Sequence, residues 1–156
     1  MSLPITIEGQ KYFVTLPSLT DLQTFRQHVA NEQRRTQYAA VPKNISNEER
    51  EAWIDTIEAR CNAIDPFAAL SMLPDVQGGT ALLIHALLRH DNPHVTLQWA
   101  CELYDRAVEG KPTAIEALRD IRLAMRSLFD SKKNETMPKP VADASSRETP
   151  CSSASS

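Results

Sequence analysis

Ala81-Leu-Leu-Ile-His-Ala-Leu-Leu-Arg-His-Asp-Asn-Pro-His-Val-Thr-Leu-Gln-Trp99 is the stretch that decides the fold. An almost uniformly apolar run meets Asn92-Pro93 and gives way to a capped, amphipathic start. The residue before a proline is driven out of the α region, so the chain breaks there. The pattern predicts a buried helix, a tight corner and a second helix. A helix that is apolar almost all round belongs at the centre of a core. Thr80–His90 is therefore expected to be the central element of a helical body.

Toward the C-terminus, Thr96 caps the next helix, with Leu97, Ala100, Cys101, Tyr104, Ala107 and Val108 as its inner face. Gly110 fits the position just past its end. Thr113 with Glu116 reads as a capping box, and Ile115, Leu118, Ile121, Met125 and Leu128 continue at helical spacing to about Asp130. Beyond that point the composition turns to Ser and Pro, with too little apolar surface to offset the entropy of ordering.

Toward the N-terminus, Gly78-Gly79 separates the central helix from a short apolar helical stretch, Phe67 to Leu73, closed by Pro74. Ser46 with Glu49 opens a helix whose buried stripe is Trp53, Ile54, Ile57, Cys61 and Ile64, stopped by Asp65-Pro66. Thr20 with Gln23 opens another, carrying Leu22, Phe25 and Val29 on one face and ending between Arg34 and Tyr38. Residues 5–16 read as a β-hairpin turning at Glu8-Gly9-Gln10, where Gly9 supplies a positive φ. A lone hairpin is marginal in water, so this one must lie on a helix or pair with another chain. The expected architecture is mainly α: a small helical bundle with an N-terminal β-hairpin over residues 1–130, then a disordered polar tail over 131–156. No internal repeat is visible.

Composition narrows the function. The chain has 156 residues, is 42% hydrophobic and 24% charged, and carries a net charge of −3. Its isoelectric point near 5.8 argues against a general nucleic-acid binder, which shows a basic face. Arg34-Arg35 is too small to change that. The N-terminus lacks a basic region and a long apolar run, and Ala81–Leu88 is too short to span a bilayer. The expectation is a soluble intracellular protein. Cys61, Cys101 and Cys151 form no CxxC pair, so a zinc ribbon or thioredoxin-type site is excluded.

Residue clusters that resemble chemistry read more simply as helix ends and core. His85, His90 and His94 flank Asp91, but His85 and His90 are five apart and diverge on a helix. His85 reads as a core histidine bonded to backbone, and His90 and His94 as corner residues favoured by a helix C-terminus. Glu48-Glu49-Arg50-Glu51 reads as an acidic helix start. Gly78-Gly79-Thr80 is not a phosphate loop, since neither GxxxxGK[ST] nor GxGxxG is present. No catalytic residue, cofactor or metal ligand is expected. Trp53 fits its helix stripe, whereas Trp99 lies just outside the 97/100/101/104 stripe and is the better surface anchor.

Three features resemble the tail assembly chaperones of long-tailed bacteriophages. The opening Ile5-Thr-Ile-Glu-Gly-Gln-Lys-Tyr-Phe-Val14 is similar to their T-I-x-G-x-x-Y-x-V start. The segment from Ala81-Leu-Leu through Leu-Leu-Arg-His to Asn-Pro-His-Val-Thr96 is similar to their L-L-x-x-L-R-x-x-(x)-H/N-P-x-(I/V)-T corner. The third is a small acidic helical body followed by a polar tail. Together they span most of residues 5–108.

The resemblance implies a non-catalytic protein that binds the tape measure protein and tail tube subunits, in the host cytoplasm and absent from the mature virion. It also implies a frameshifted longer form of the chain as a partner. Lys132-Lys133-Asn134 is compatible with the A-rich codon run such a frameshift needs. A homo-oligomer fits the same picture; nucleic acid and membrane do not. Trp99, Tyr104, Tyr12 and Val14 are the expected partner-binding residues, with the hairpin edge open to strand addition between subunits. The alternative is a structural adaptor or completion protein of the virion.

Overall fold

The computed structural model describes residues 1–136. Strands β1 (Ser2–Ile7) and β2 (Gln10–Thr15) form an antiparallel hairpin in the register Leu3 to Val14, Ile5 to Tyr12 and Ile7 to Gln10. Its two-residue turn holds Glu8 at φ 50° and Gly9 at φ 83°. Two successive positive-φ residues make the tight turn whose twist matches that of the flanking strands.

Six α-helices follow among the described residues: α1 (Leu19–Ala39), α2 (Asn47–Asn62), α3 (Pro66–Met72), α4 (Gly79–Arg89), α5 (Leu97–Val108) and α6 (Pro112–Thr136). A single 3-10 turn, Leu73–Asp75, joins α3 to α4. The mainly α bundle with an N-terminal hairpin is thus the fold of the chain.

Helix α4 is the hub. On one side Ala81, Ile84, Leu87 and Leu88 pack with the inner hairpin face (Ile7, Tyr12, Val14), α5 and α6. On the other, Ala86 meets Leu22, Phe25 and Val29 of α1, together with Ala69 and Leu73. Helix α2 is peripheral and reaches the core only through Ile57 and Cys61, against Ala30. The hairpin is stabilised by lying on α6 and α4, as its marginal intrinsic stability requires.

Several sequence expectations shift by a fraction of a turn. Helix α1 is capped by Ser18, whose hydroxyl accepts from the Asp21 amide while the Asp21 carboxylate accepts from the Ser18 amide, so Ser18 and Asp21 replace Thr20 and Gln23 as the capping box. Trp53 is 43% exposed and Ile54 half-buried, leaving Ile57 and Cys61 as the buried pair of α2. On α5 the core residues are Ala100 and Leu103, while Leu97 and Val108 face outward. Helix α6 begins at Pro112, which places Thr113 within its first turn.

The core face of α6 is Ala114, Ala117, Ile121, Ala124 and Leu128, with Ile115 exposed. Small side chains there let α6 sit close beneath the hairpin. The helix also runs to Thr136, past the boundary expected at Asp130. The disordered tail expected beyond it falls, from residue 137 on, outside the described residues.

Candidate functional site

The corner at Asn92-Pro93 is built by hydrogen bonds to a strand 79 residues away in sequence. The buried Asn92 side chain accepts from the Phe13 amide through Oδ1 at 3.2 Å and donates from Nδ2 to the Phe13 carbonyl at 2.8 Å. The same Nδ2 donates to the Leu88 carbonyl at 2.6 Å, closing the end of α4. Beside it, Thr15 Oγ1 donates to Asp91 at 2.6 Å. Thr96 then caps α5 by accepting from the Trp99 amide at 3.1 Å.

Against this corner the Tyr12 ring lies between two aromatic neighbours. Its centroid is 5.4 Å from Trp99 and 5.6 Å from His94, each tilted by 38°. Burial and the charge of Glu8 raise the Tyr12 phenol above its ordinary pKa. Tyr12 and Val14, expected from sequence to bind a partner, lie in the core of the chain, 4% and 0% exposed. On one hairpin face the side chains alternate inward, and the α4–α6 surface covers that face. Trp99 and Tyr104 are half-buried against the same core, so each keeps an outer edge.

The hairpin edges are also less open than expected. Pro4 and Phe13 are directly opposed, and a proline cannot donate to a neighbouring strand. The outward backbone groups of Phe13 are taken by Asn92. Both features are devices that protect edges from strand addition.

An apolar cleft of about 250 Å³ lies between α4 and α6. Leu83, Ile84 and Leu87 form one wall; Leu118, Ile121 and Met125 form the other. Arg122 and Arg126 stand at its rim, Thr80 and Pro74 at its end. Neither arginine forms an ion pair or hydrogen bond with any described residue, and no carboxylate lines the cleft.

The strongest cluster of ionisable groups lies elsewhere. Asp21, at the start of α1 and 4% exposed, accepts from Arg89 at 2.5 Å and from the His90 ring at 2.9 Å. Burial raises its pKa, but the bonds from His90, the Ser18 amide and Arg89 more than offset this and hold it at about 2. An Asp fixed as a fully bonded anion is a poor proton carrier at neutral pH. It joins the start of α1 to the end of α4.

The corner histidines point three ways. His85 bonds the Val95 backbone, and burial with the nearby Arg89 charge lowers its pKa. His90 goes to Asp21 and His94 to Tyr12. Among the described residues no group of three His, Cys, Asp or Glu side chains is placed to hold a metal ion. Glu48, Glu49 and Glu51 are exposed at the start of α2. No described helix is long and apolar enough to cross a membrane.

The chain matches no family model, no curated protein and no solved structure.

Sequence reasoning missed the α4–α6 cleft. Its signal was the pair Arg122 and Arg126, four apart and therefore on one helix face beside the apolar stripe of α6. It also missed the role of Asn92, whose place before a proline was read only as a break.

Proposed function

We propose that this chain is a tail assembly chaperone of a long-tailed bacteriophage, a non-catalytic module that lends an apolar surface to the tape measure protein and to tail tube subunits until they assemble. The observation that carries the reading is the apolar cleft between α4 and α6, open at the surface and walled by side chains from both helices. A long helical client exposes an apolar stripe that has no partner before assembly. A groove between two helices receives such a stripe in helix-in-groove recognition.

The two segments that carry the resemblance support it in a second way. The hairpin and the Asn92-Pro93 corner are bonded to each other through Phe13. They therefore behave as one structural device instead of two unrelated short motifs. Trp99 and Tyr104 offer half-exposed aromatic edges on the neighbouring helix, which suit a secondary contact. A frameshift at Lys132-Lys133-Asn134 would extend the chain from the last turns of α6, the helix that also forms one cleft wall.

The test is co-expression of the chain with the tape measure protein of its own phage, in the host cytoplasm. A soluble complex that purifies intact, together with absence of the chain from purified virions by mass spectrometry, supports the proposal. A fixed copy number in virions would make the chain an adaptor or completion protein instead.

A further inference from the structure

We infer that the α4–α6 cleft takes an amphipathic helix whose apolar stripe is flanked by carboxylates. This deepens the proposal above and rests on its reading of the cleft as a docking groove, though not on the identity of the client.

Charge complementarity defines the occupant. Leu83, Leu118 and Met125 are half-buried at the mouth of the cleft, over a floor of Ile84, Leu87 and Ile121. Such a floor selects an apolar face but not its surroundings. The selection comes from Arg122 and Arg126, both exposed at the rim and both without an acidic partner among the described residues. The chain as a whole is acidic, with net charge −3. Two unpaired guanidiniums beside an apolar groove are therefore a local departure from the general charge.

The spacing fits a helix. Four residues along α6 separate the two guanidiniums by about 6 Å of axial rise, one turn. Carboxylates at i and i+4 on a partner helix have the same separation. Arg is also the cation suited to bidentate pairing with a carboxylate. The apolar walls extend over residues 118–126 and 80–87, about 10–12 Å of helix each, so the footprint is roughly two turns.

The experiment uses the full chain and two fluorescein-labelled helical peptides with one shared leucine stripe, flanked by Glu in the first and by Lys in the second. Anisotropy titration is expected to give binding of the Glu peptide about tenfold tighter than the Lys peptide, a preference that shrinks as salt is raised. The double variant Arg122→Glu/Arg126→Glu is expected to reverse the order while its circular dichroism and melting midpoint stay unchanged, because both side chains are exposed. Amide shifts on titration are expected at Leu83, Leu118 and Met125.

Equal binding of the two peptides, or a preference for Glu that survives the double variant, overturns the inference and leaves the groove itself standing. Failure of both peptides to bind overturns the inference and the docking reading together. A concentration-dependent dimer of the chain alone, with shifts at the same three residues and lost in the double variant, would assign the cleft to a second copy and overturn the inference.

Discussion

Asn92 serves Phe13 as a neighbouring strand would: one side-chain amide satisfies both the N–H and the C=O of a residue 79 positions earlier. A third bond ties the same group to the last turn of α4. The corner therefore joins the hairpin to the central helix through a single buried side chain. Replacing Asn92 with Ala removes three bonds and leaves the part-buried N–H and C=O of Phe13 without this partner, while the Leu88 carbonyl keeps the Asn92 amide, a loss of about 3 kcal/mol. Urea unfolding measures this, and hydrogen exchange is expected to show the largest loss of protection at Phe13. A drop below about 0.5 kcal/mol would mean that water replaces the amide at little cost.

The Asp21 cluster gives stability a defined pH dependence. The folded carboxyl has a pKa of about 2, below its value of 3.8 in a free side chain. A depressed folded pKa contributes stability that is present above the unfolded value and is lost as pH falls through the folded one. The window is thus about pH 4 down to about pH 2, and the contribution at neutral pH is about 2 kcal/mol. Asp21→Asn is expected to be less stable than the parent chain at neutral pH by that order. The gap should close as both are acidified through the window. A gap that is constant with pH would assign the loss to contacts that do not depend on the carboxylate's charge, and not to the bonds from His90, Ser18 and Arg89.

Leu103 and Leu97 test how the sequence can be read on α5. Helical spacing reads the inner face as Leu97, Ala100, Cys101, Tyr104, Ala107 and Val108. A face rotated from it by part of a turn contains Ala100 and Leu103. The structure buries the second, because Thr96 and the Asn92 corner fix where α5 starts and so fix its rotation. Leu103→Ala is expected to cost about 3 kcal/mol, and Leu97→Ala less than about 0.5 kcal/mol. Thermal unfolding of the two variants separates the readings.

The same limit explains what else was and was not legible. The central helix, the break at Asn92-Pro93, the hairpin and the core residues Leu22, Phe25 and Val29 follow from local patterns, since each needs only its neighbours in sequence. The bonds from Asn92 to Phe13 and from Arg89 and His90 to Asp21 do not, since they join residues 68 to 79 positions apart. Helix α6 misled for another reason. Helical spacing picks out its large side chains, whereas the face beneath the hairpin is chiefly alanine. The cleft belongs to two helices at once, so the signal of its arginine pair reads as ordinary surface charge until both walls are in place.

Trp99 is expected to be part anchor, part core. Its ring lies 5.4 Å from Tyr12, and it packs on the main cluster while remaining half-exposed. Trp99→Ala is expected to lower stability by about 2 kcal/mol, less than for a fully buried tryptophan. Trp99→Phe keeps the ring contact and should recover most of that. If the Ala variant unfolds with the parent's midpoint, Trp99 contributes no packing and is free to serve a partner alone.

Gly79 and Gly9 require glycine for different reasons, and substitution distinguishes them. A Cβ on Gly79 would lie 1.8 Å from the carbonyl oxygen of Leu73, so the 3-10 turn and the start of α4 would have to separate. A Cβ on Gly9 meets nothing within 4 Å, and the only obstacle is its φ of 83°. Gly79→Ala therefore introduces a backbone overlap beside the central helix, expected to cost about 2–3 kcal/mol. Gly9→Ala introduces only an unfavourable dihedral, about 1 kcal/mol. Gly9→Asn should be milder still, because Asn tolerates the left-handed region. No such relief exists at position 79, where any side chain begins with the same Cβ. Denaturant midpoints for the three variants in that order, with Gly79→Ala lowest, would show that the turn before α4 is held by contact and the hairpin turn by conformation; equal loss at both positions would show that the Leu73 carbonyl moves aside easily.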